Sequence, residues 1–107
     1  MKIGIILNTN DTETVWNTFR FGVEALKNNH SVKVFLLGKG VECENLQNKR
    51  FDVQRMIALF KKKKGLVLAC GTCLKVRRKE KSKICPVSTM EEMLEIVKES
   101  DKVLVFG

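Results

Sequence analysis

The chain has no tyrosine, a single histidine and no apolar run near the length of a membrane span, and each shortage removes a class of function. A spanning helix needs roughly 18 to 20 apolar residues. The opening run from Lys2 to Leu7 is far shorter and turns polar at Asn8, too soon for a signal peptide. The sequence therefore predicts a soluble, cytoplasmic protein with no membrane partner. The lone histidine, His30, falls in a helix-to-strand turn away from the strand ends, so it reads as a surface residue, and no Ser-His-Asp set is present. Neither G-x-G-x-x-G nor G-x-x-x-x-G-K-[ST] occurs, which leaves a dinucleotide or nucleoside triphosphate without a cradle; no cofactor is predicted. At 107 residues there is room for one domain, 1–107, and 44% hydrophobic with 30% charged residues makes it globular rather than disordered.

What the chain does have is positive charge, unevenly placed. The net charge is +8, yet residues 49 to 83 hold 13 Lys and Arg against Asp52 and Glu80, which leaves the rest of the chain slightly negative. A basic middle attracts anionic ligands, acidic proteins or nucleic acid. Nucleic acid is disfavoured, because no aromatic residues interleave with the basic stretch Lys75 to Lys83 and no RNP-like signature appears.

Alternation of short apolar runs and amphipathic stripes sets the fold class. Lys2–Leu7, Val32–Leu37, Gly65–Ala69 and Val103–Phe106 read as strands, and Ile84–Val87 as a short further one. Between them, Val15, Phe19, Gly22, Val23 and Leu26 stripe a first helix capped by Asn10 or Asp11, with Trp16 at the edge of the stripe. Val53, Met56, Ile57 and Phe60 stripe a second helix that runs into Lys61–Lys64. Met90, Met93, Leu94 and Val97 stripe a third, opened by a capping box of Ser88 with Glu91 or of Thr89 with Glu92. The pattern β-α-β-α-β-(loop)-β-α-β predicts an α/β fold, a mainly parallel sheet of five strands with helices on both faces and a flavodoxin-like appearance. Leu74 to Lys83 is too basic for a buried helix and reads as a turn or loop. Phe21, Leu59 and Ile96 lie off the stripes of their helices and point to a subunit interface.

In such a sheet the strand-to-helix loops emerge on one edge, so Asn8–Asp11, Gly38–Gly40, Cys70–Cys73 and the segment around Cys85–Ser88 converge there. Four cysteines (Cys43, Cys70, Cys73, Cys85) in a non-secreted chain point to thiol chemistry, metal binding or packing rather than a disulfide framework. If Gly71 opens a helix, the Cys70 thiol faces free backbone amides with Lys75, Arg77, Arg78 and Lys79 close in sequence, a setting that favours thiolate. The Cys70-x-x-Cys73 spacing also suits a dithiol redox pair. A structural zinc would want a second ligand pair, and only Cys85 is near, with Cys43 and His30 distant; no metal is predicted. Asn8, Asn10 and Asp11 serve as caps and turn formers, and their side chains stand to line the thiol pocket.

The opening Lys2-Ile3-Gly4-Ile5-Ile6-Leu7-Asn8-Thr9-Asn10-Asp11, then Val15-Trp16-Asn17, Phe19-Arg20-Phe21-Gly22, Val34 to Glu42 and above all Ala69-Cys70-Gly71-Thr72-Cys73-Leu74 resemble the DsrE/DsrF-like family over essentially the whole chain. The resemblance implies a three-layer α/β/α domain assembled as trimers or hexamers; the relay members are hetero-oligomers, whereas this short chain looks like the stand-alone branch and is expected as a homotrimer or homohexamer. It implies too that a cysteine at the end of the third strand, here Cys70, carries sulfur as a persulfide between donor and acceptor proteins. Cys73 and Cys85 are additional thiols relative to the relay members and leave open an intramolecular resolving step or a metal site. The expected function is sulfur carriage with Cys70 as nucleophile and Cys73 as its resolving or sharing thiol. Asn8, Asn10, Gly38, Gly71, Lys75 and Arg77 are expected to line the site. The alternatives are a non-catalytic oligomeric scaffold or small-ligand module, and a thiol redox protein using the Cys-x-x-Cys pair.

Overall fold

A computed structural model of the chain describes residues 1–77 and 86–107. In chain order the elements are β1 (Lys2–Leu7), α1 (Thr12–Lys27), β2 (Ser31–Leu36), a 3₁₀ segment (Gly38–Asn45), α2 (Val53–Lys62), β3 (Leu66–Cys70), α3 (Gly71–Val76), β4 (Val87–Ser88), α4 (Met90–Glu99) and β5 (Lys102–Phe106). The strands form one sheet in the order β4-β3-β2-β1-β5, every pair parallel. That is the α/β class and the five-stranded parallel sheet the alternation predicts.

Local chemistry starts each helix. Asp11 caps α1, accepting from the Thr14 hydroxyl at 2.7 Å and the Thr14 N–H at 3.0 Å, which together hold its carboxyl below its ordinary value. Asp52 caps α2 through the Arg55 N–H, and Lys61 and Lys62 sit in its last turn, where cations suit the carbonyl end. Thr89, not Ser88, caps α4, by accepting from the Glu92 N–H at 3.2 Å.

Strand register decides which side chains share a face, since alternate residues point to opposite sides. Ile3, Ile5, Leu7, Val32, Val34, Leu36, Val67 and Ala69 point to one face, all buried. There α1 and α2 bring Val15, Phe19, Val23, Val53, Ile57 and Phe60 onto them. Phe19 and Phe60 meet edge to face at 5.3 Å, and a methyl group added at Gly22 or Gly65 would strike the Phe60 ring, so glycine at both positions is what lets the ring in. Gly4, Ile6, Phe35, Leu68, Cys70 and Ser88 point to the other face, covered by α4; Ile96 and Ser100 pack into the space a side chain on Gly4 would occupy.

Three expectations change. Ile96, expected at a subunit interface, is 3% exposed and packs on the sheet, whereas Met90, Leu94 and Val97 of the expected core stripe are exposed. The cause is packing over Gly4: α4 is rolled so that Ile96 and Ser100 fill the space that the missing Gly4 side chain leaves, with Met93 packed inward beside them and Glu99 reaching the Lys33 ammonium at 3.4 Å on the flank. Leu74–Val76, expected as loop, completes the short helix α3, because Leu74 is buried and anchors it while Lys75 and Val76 stay exposed. Gly38–Gly40, expected as a turn, opens a 3₁₀ segment running to Asn45, with Val41 and Cys43 buried beneath it. Phe21 and Leu59 are exposed as expected. Of the expected strand Ile84–Val87, Val87 pairs with Ala69, while Ile84 and Cys85 lie outside the described residues, as do Arg78 to Lys83.

Phe60→Ala removes the ring around which α1, α2 and the start of β3 are fitted. It should cost about 3 to 5 kcal/mol in chemical denaturation; a loss under about 1 kcal/mol would contradict the packing described.

Candidate functional site

Parallel strands place every strand-to-helix connection on one edge of the sheet, and β3 delivers Cys70 there as its last residue. Cys70 is the residue from which α3 departs; its backbone is extended and its thiol makes no capping hydrogen bond. In register it lies beside Ser88 of β4, so the two side chains stand next to each other on the α4 face of the sheet. Both are nearly buried, each 3% exposed, and both contribute to the wall of an open cleft of about 560 Å³. Gly71, Thr72 and Lys75 of α3 form one side of this cleft, and Val87, Thr89 and Met90 the other. A side chain at Gly71 would crowd Val87 and the Ser88 carbonyl, so glycine keeps that wall open.

Cys73, one helical turn on, is oriented differently. Its sulfur accepts a hydrogen bond from the Gly38 N–H at 3.2 Å, and Gly38 sits with φ +54°, a left-handed conformation suited to glycine, against the Asn8 side-chain oxygen. Beyond it, Arg77 donates to a Glu42 carboxylate oxygen at 2.6 Å and to the Cys73 carbonyl at 3.1 Å, while the Asn10 amide donates to the other Glu42 oxygen at 3.3 Å. The Arg77–Glu42 pair is partly shielded and charge-assisted, so it anchors α3 to the 3₁₀ segment. The Cys70 thiol lies near enough to Cys73 to bear on its titration.

Burial pushes the Cys73 thiol above the ordinary cysteine value. The Gly38 N–H pulls it back, contact with Cys70 raises it further, and the Arg77 guanidinium lowers it.

All eight residues expected at the site therefore reach the same edge, but α3 divides them. Cys70, Gly71 and Lys75 line the cleft, whereas Cys73, Asn8, Gly38, Asn10 and Arg77 gather on the side of the 3₁₀ segment. Arg77, expected beside the Cys70 thiolate, is committed to Glu42, because that carboxylate lies within reach of its guanidinium and is braced by Asn10. Sequence reasoning missed Glu42 and the cleft role of Ser88. Glu42 lies 35 positions from Arg77, and nothing local signals that pairing. Ser88 reads equally well as a cap, until Thr89 takes that part. His30 lies at the other edge, its Nδ1 2.8 Å from the Met1 amine. Among the described residues no group of three or more His, Cys, Asp or Glu side chains is arranged to hold a metal ion.

Cys73 should alkylate with iodoacetamide more slowly than a free cysteine at about pH 8, with its rate profile displaced to higher pH. Because Arg77 lowers its pKa, Arg77→Met should move that profile further upward; an unchanged or downward profile would show the guanidinium has no influence on the thiol.

One relative and two solved structures can be set beside this geometry. The uncharacterised protein MJ0989 of Methanocaldococcus jannaschii is 33% identical over 100 residues, which is 88% of each chain. The crystal structure of the YchN protein of E. coli superposes with a TM-score of 0.83 at 20% identity, covering 99% of this chain and 100% of that one. BT1422 of Bacteroides thetaiotaomicron, described as a conserved protein of unknown function, gives 0.78 at 20% identity over 97% and 93%. The family model that matches, over residues 1–106, is DsrE/DsrF-like. With the match spanning nearly every residue and the fold shared with solved structures, the chain belongs to the DsrE/DsrF-like family.

Proposed function

We propose that the protein is a sulfur carrier in which Cys70 takes sulfane sulfur as a persulfide and passes it to an acceptor thiol. Family membership supports the class, and one observation carries the assignment to Cys70: of the two neighbouring thiols it alone helps wall the cleft, while Cys73 is tied to the Gly38 N–H. In the loading step the Cys70 thiolate attacks the outer sulfur of a donor R–S–SH. The new S–S bond forms as the donor's breaks, and the donor leaves as R–SH with the proton. In discharge an acceptor thiolate attacks the outer sulfur and Cys70 departs as thiolate, so the cycle is redox-neutral. Lys75, exposed at the cleft wall, adds positive charge that draws in an anionic donor or an acidic partner.

A second reading uses the contact between the thiols. Cys73 attacks the inner sulfur of the Cys70 persulfide, H₂S leaves, and a Cys70–Cys73 disulfide forms. The raised Cys73 pKa slows this step at neutral pH, which favours transfer over internal resolution.

The proposal extends to assembly as a homotrimer or homohexamer. Met90, Leu94 and Val97 are exposed along one side of α4, about half a turn round the helix from Glu99. On the same face of the sheet Val103 and Val105 of the edge strand β5 are exposed too, Val105 at 64%. These are the apolar surfaces offered for assembly, on a chain of net charge +8 whose α4 carries Glu91, Glu92 and Glu95. The occupant proposed for this apolar surface is a second copy, whose Lys61–Lys64 cluster at the end of α2 is opposite in charge to the carboxylates of α4. The site also adjoins this surface, since Met90 belongs to both. No helix among the described residues is long and apolar enough to cross a membrane.

After exposure to glutathione persulfide, the reduced protein should gain about 32 Da that a small-molecule thiol removes, and Cys70→Ser should lose that gain while keeping its fold and assembly. Loading that survives Cys70→Ser would overturn the assignment. Light scattering should report three or six chains of 12.2 kDa, and Leu94→Glu with Val105→Glu should return monomers; a monomeric parent would contradict the interface.

A further inference from the structure

Ser88 has a feature its neighbours do not share. Its hydroxyl is buried and finds no hydrogen-bond partner among the described residues. Buried hydroxyls are nearly always paired, and an unpaired one destabilises the state that contains it. The usual explanation for a serine at this place, capping the following helix, does not apply, because Thr89 caps α4. Ser88 also ends the two-residue strand β4, whose pairing with β3 sets it directly beside Cys70 on the same face, at the cleft wall.

We infer that the Ser88 hydroxyl is the binding group for the outer sulfur of a Cys70 persulfide. The inference rests on the carrier reading and adds to it the residue that holds the cargo. Adjacent strands lie about 4.8 Å apart, and a persulfide extends the cysteine side chain by one S–S bond of about 2.05 Å. The added sulfur therefore comes within reach of the neighbouring hydroxyl, which donates to it. The outer sulfur of a persulfide is anionic near neutral pH, and hydrogen bonds to charged acceptors are the stronger kind. In the sulfur-free protein the donor finds no partner among the described residues, and in the loaded protein it is paired, so burial at this position favours the loaded state. Val87, Thr72 and Met90 narrow the surroundings, and Lys75 is the cation among the cleft residues. Nothing is oxidised or reduced in this contact; it holds a sulfur that the donor has already delivered.

The test compares the parent, Ser88→Ala and Ser88→Thr, each loaded with glutathione persulfide, freed of donor, and followed by intact mass as the added sulfur is lost to a fixed concentration of thiol. Ser88→Ala should lose its sulfur about tenfold faster, the worth of one hydrogen bond to a charged group. Ser88→Thr keeps the hydroxyl and should retain most of the parent's lifetime. In the sulfur-free state Ser88→Ala should melt no lower than the parent, since it removes an unpaired group. A lower melting temperature would mean the hydroxyl is already paired and would overturn the inference, as would equal sulfur lifetimes in all three proteins or equal losses in both variants. If the parent itself takes no sulfur on Cys70, the carrier reading fails first, a result separable from a parent that loads and an alanine variant that holds sulfur equally well.

Discussion

Parallel pairing of the β3 and β4 strands with the rest of the sheet is the constraint on which the site depends. A parallel sheet sends every strand's carboxyl end to one edge, and the two-residue β4 pairs with the last residues of β3, setting Ser88 against Cys70. That pairing needs an apolar floor, supplied by Phe35, Leu68 and Ile6 on the α4 face and by the Phe19–Phe60 cluster on the other. Without those layers the strand end and the following helix would not be held at the angle that opens the cleft.

On that edge the chain separates two thiols that sequence places one helical turn apart. Cys73 is held by an amide hydrogen bond and a bracing ion pair, and burial pushes its thiol above the ordinary cysteine value. Cys70 makes no capping hydrogen bond to α3 and helps form the wall of an open space. Asymmetry of this kind suits a carrier better than a reversible disulfide, because a carrier needs one exchangeable thiol and a neighbour that does not intercept the cargo. The Asn10–Glu42–Arg77 chain contributes by fixing α3 against the 3₁₀ segment rather than by touching a substrate.

Most of the fold was legible from period alone. The β1 run Ile3–Leu7 and the α1 stripe of Val15, Phe19, Gly22 and Val23 declare a buried strand and its covering helix, and both are found there. Gathering of Asn8, Gly38, Cys70 and Cys73 on one edge followed from the alternation of strands and helices. What the sequence concealed came from contacts between distant residues. The open space over Gly4 takes Ile96 and Ser100 of α4, which reverses the places of Ile96 and Leu94, and Glu42 claims Arg77 across 35 positions. Ser88 was hidden for a different reason: Ser88 and Thr89 are equivalent as caps in sequence, and only the backbone shows which hydroxyl is used and which is left over.

The most direct measurement is fragmentation mass spectrometry of the unmodified protein after one equivalent of isotopically labelled persulfide, reading the segment from Gly65 to Lys75, which contains both thiols. Labelled sulfur confined to Cys70 and discharged intact to an added thiol is the predicted result. Label on Cys73, or spread evenly over the four cysteines, would contradict a carrier built on the cleft at the end of β3.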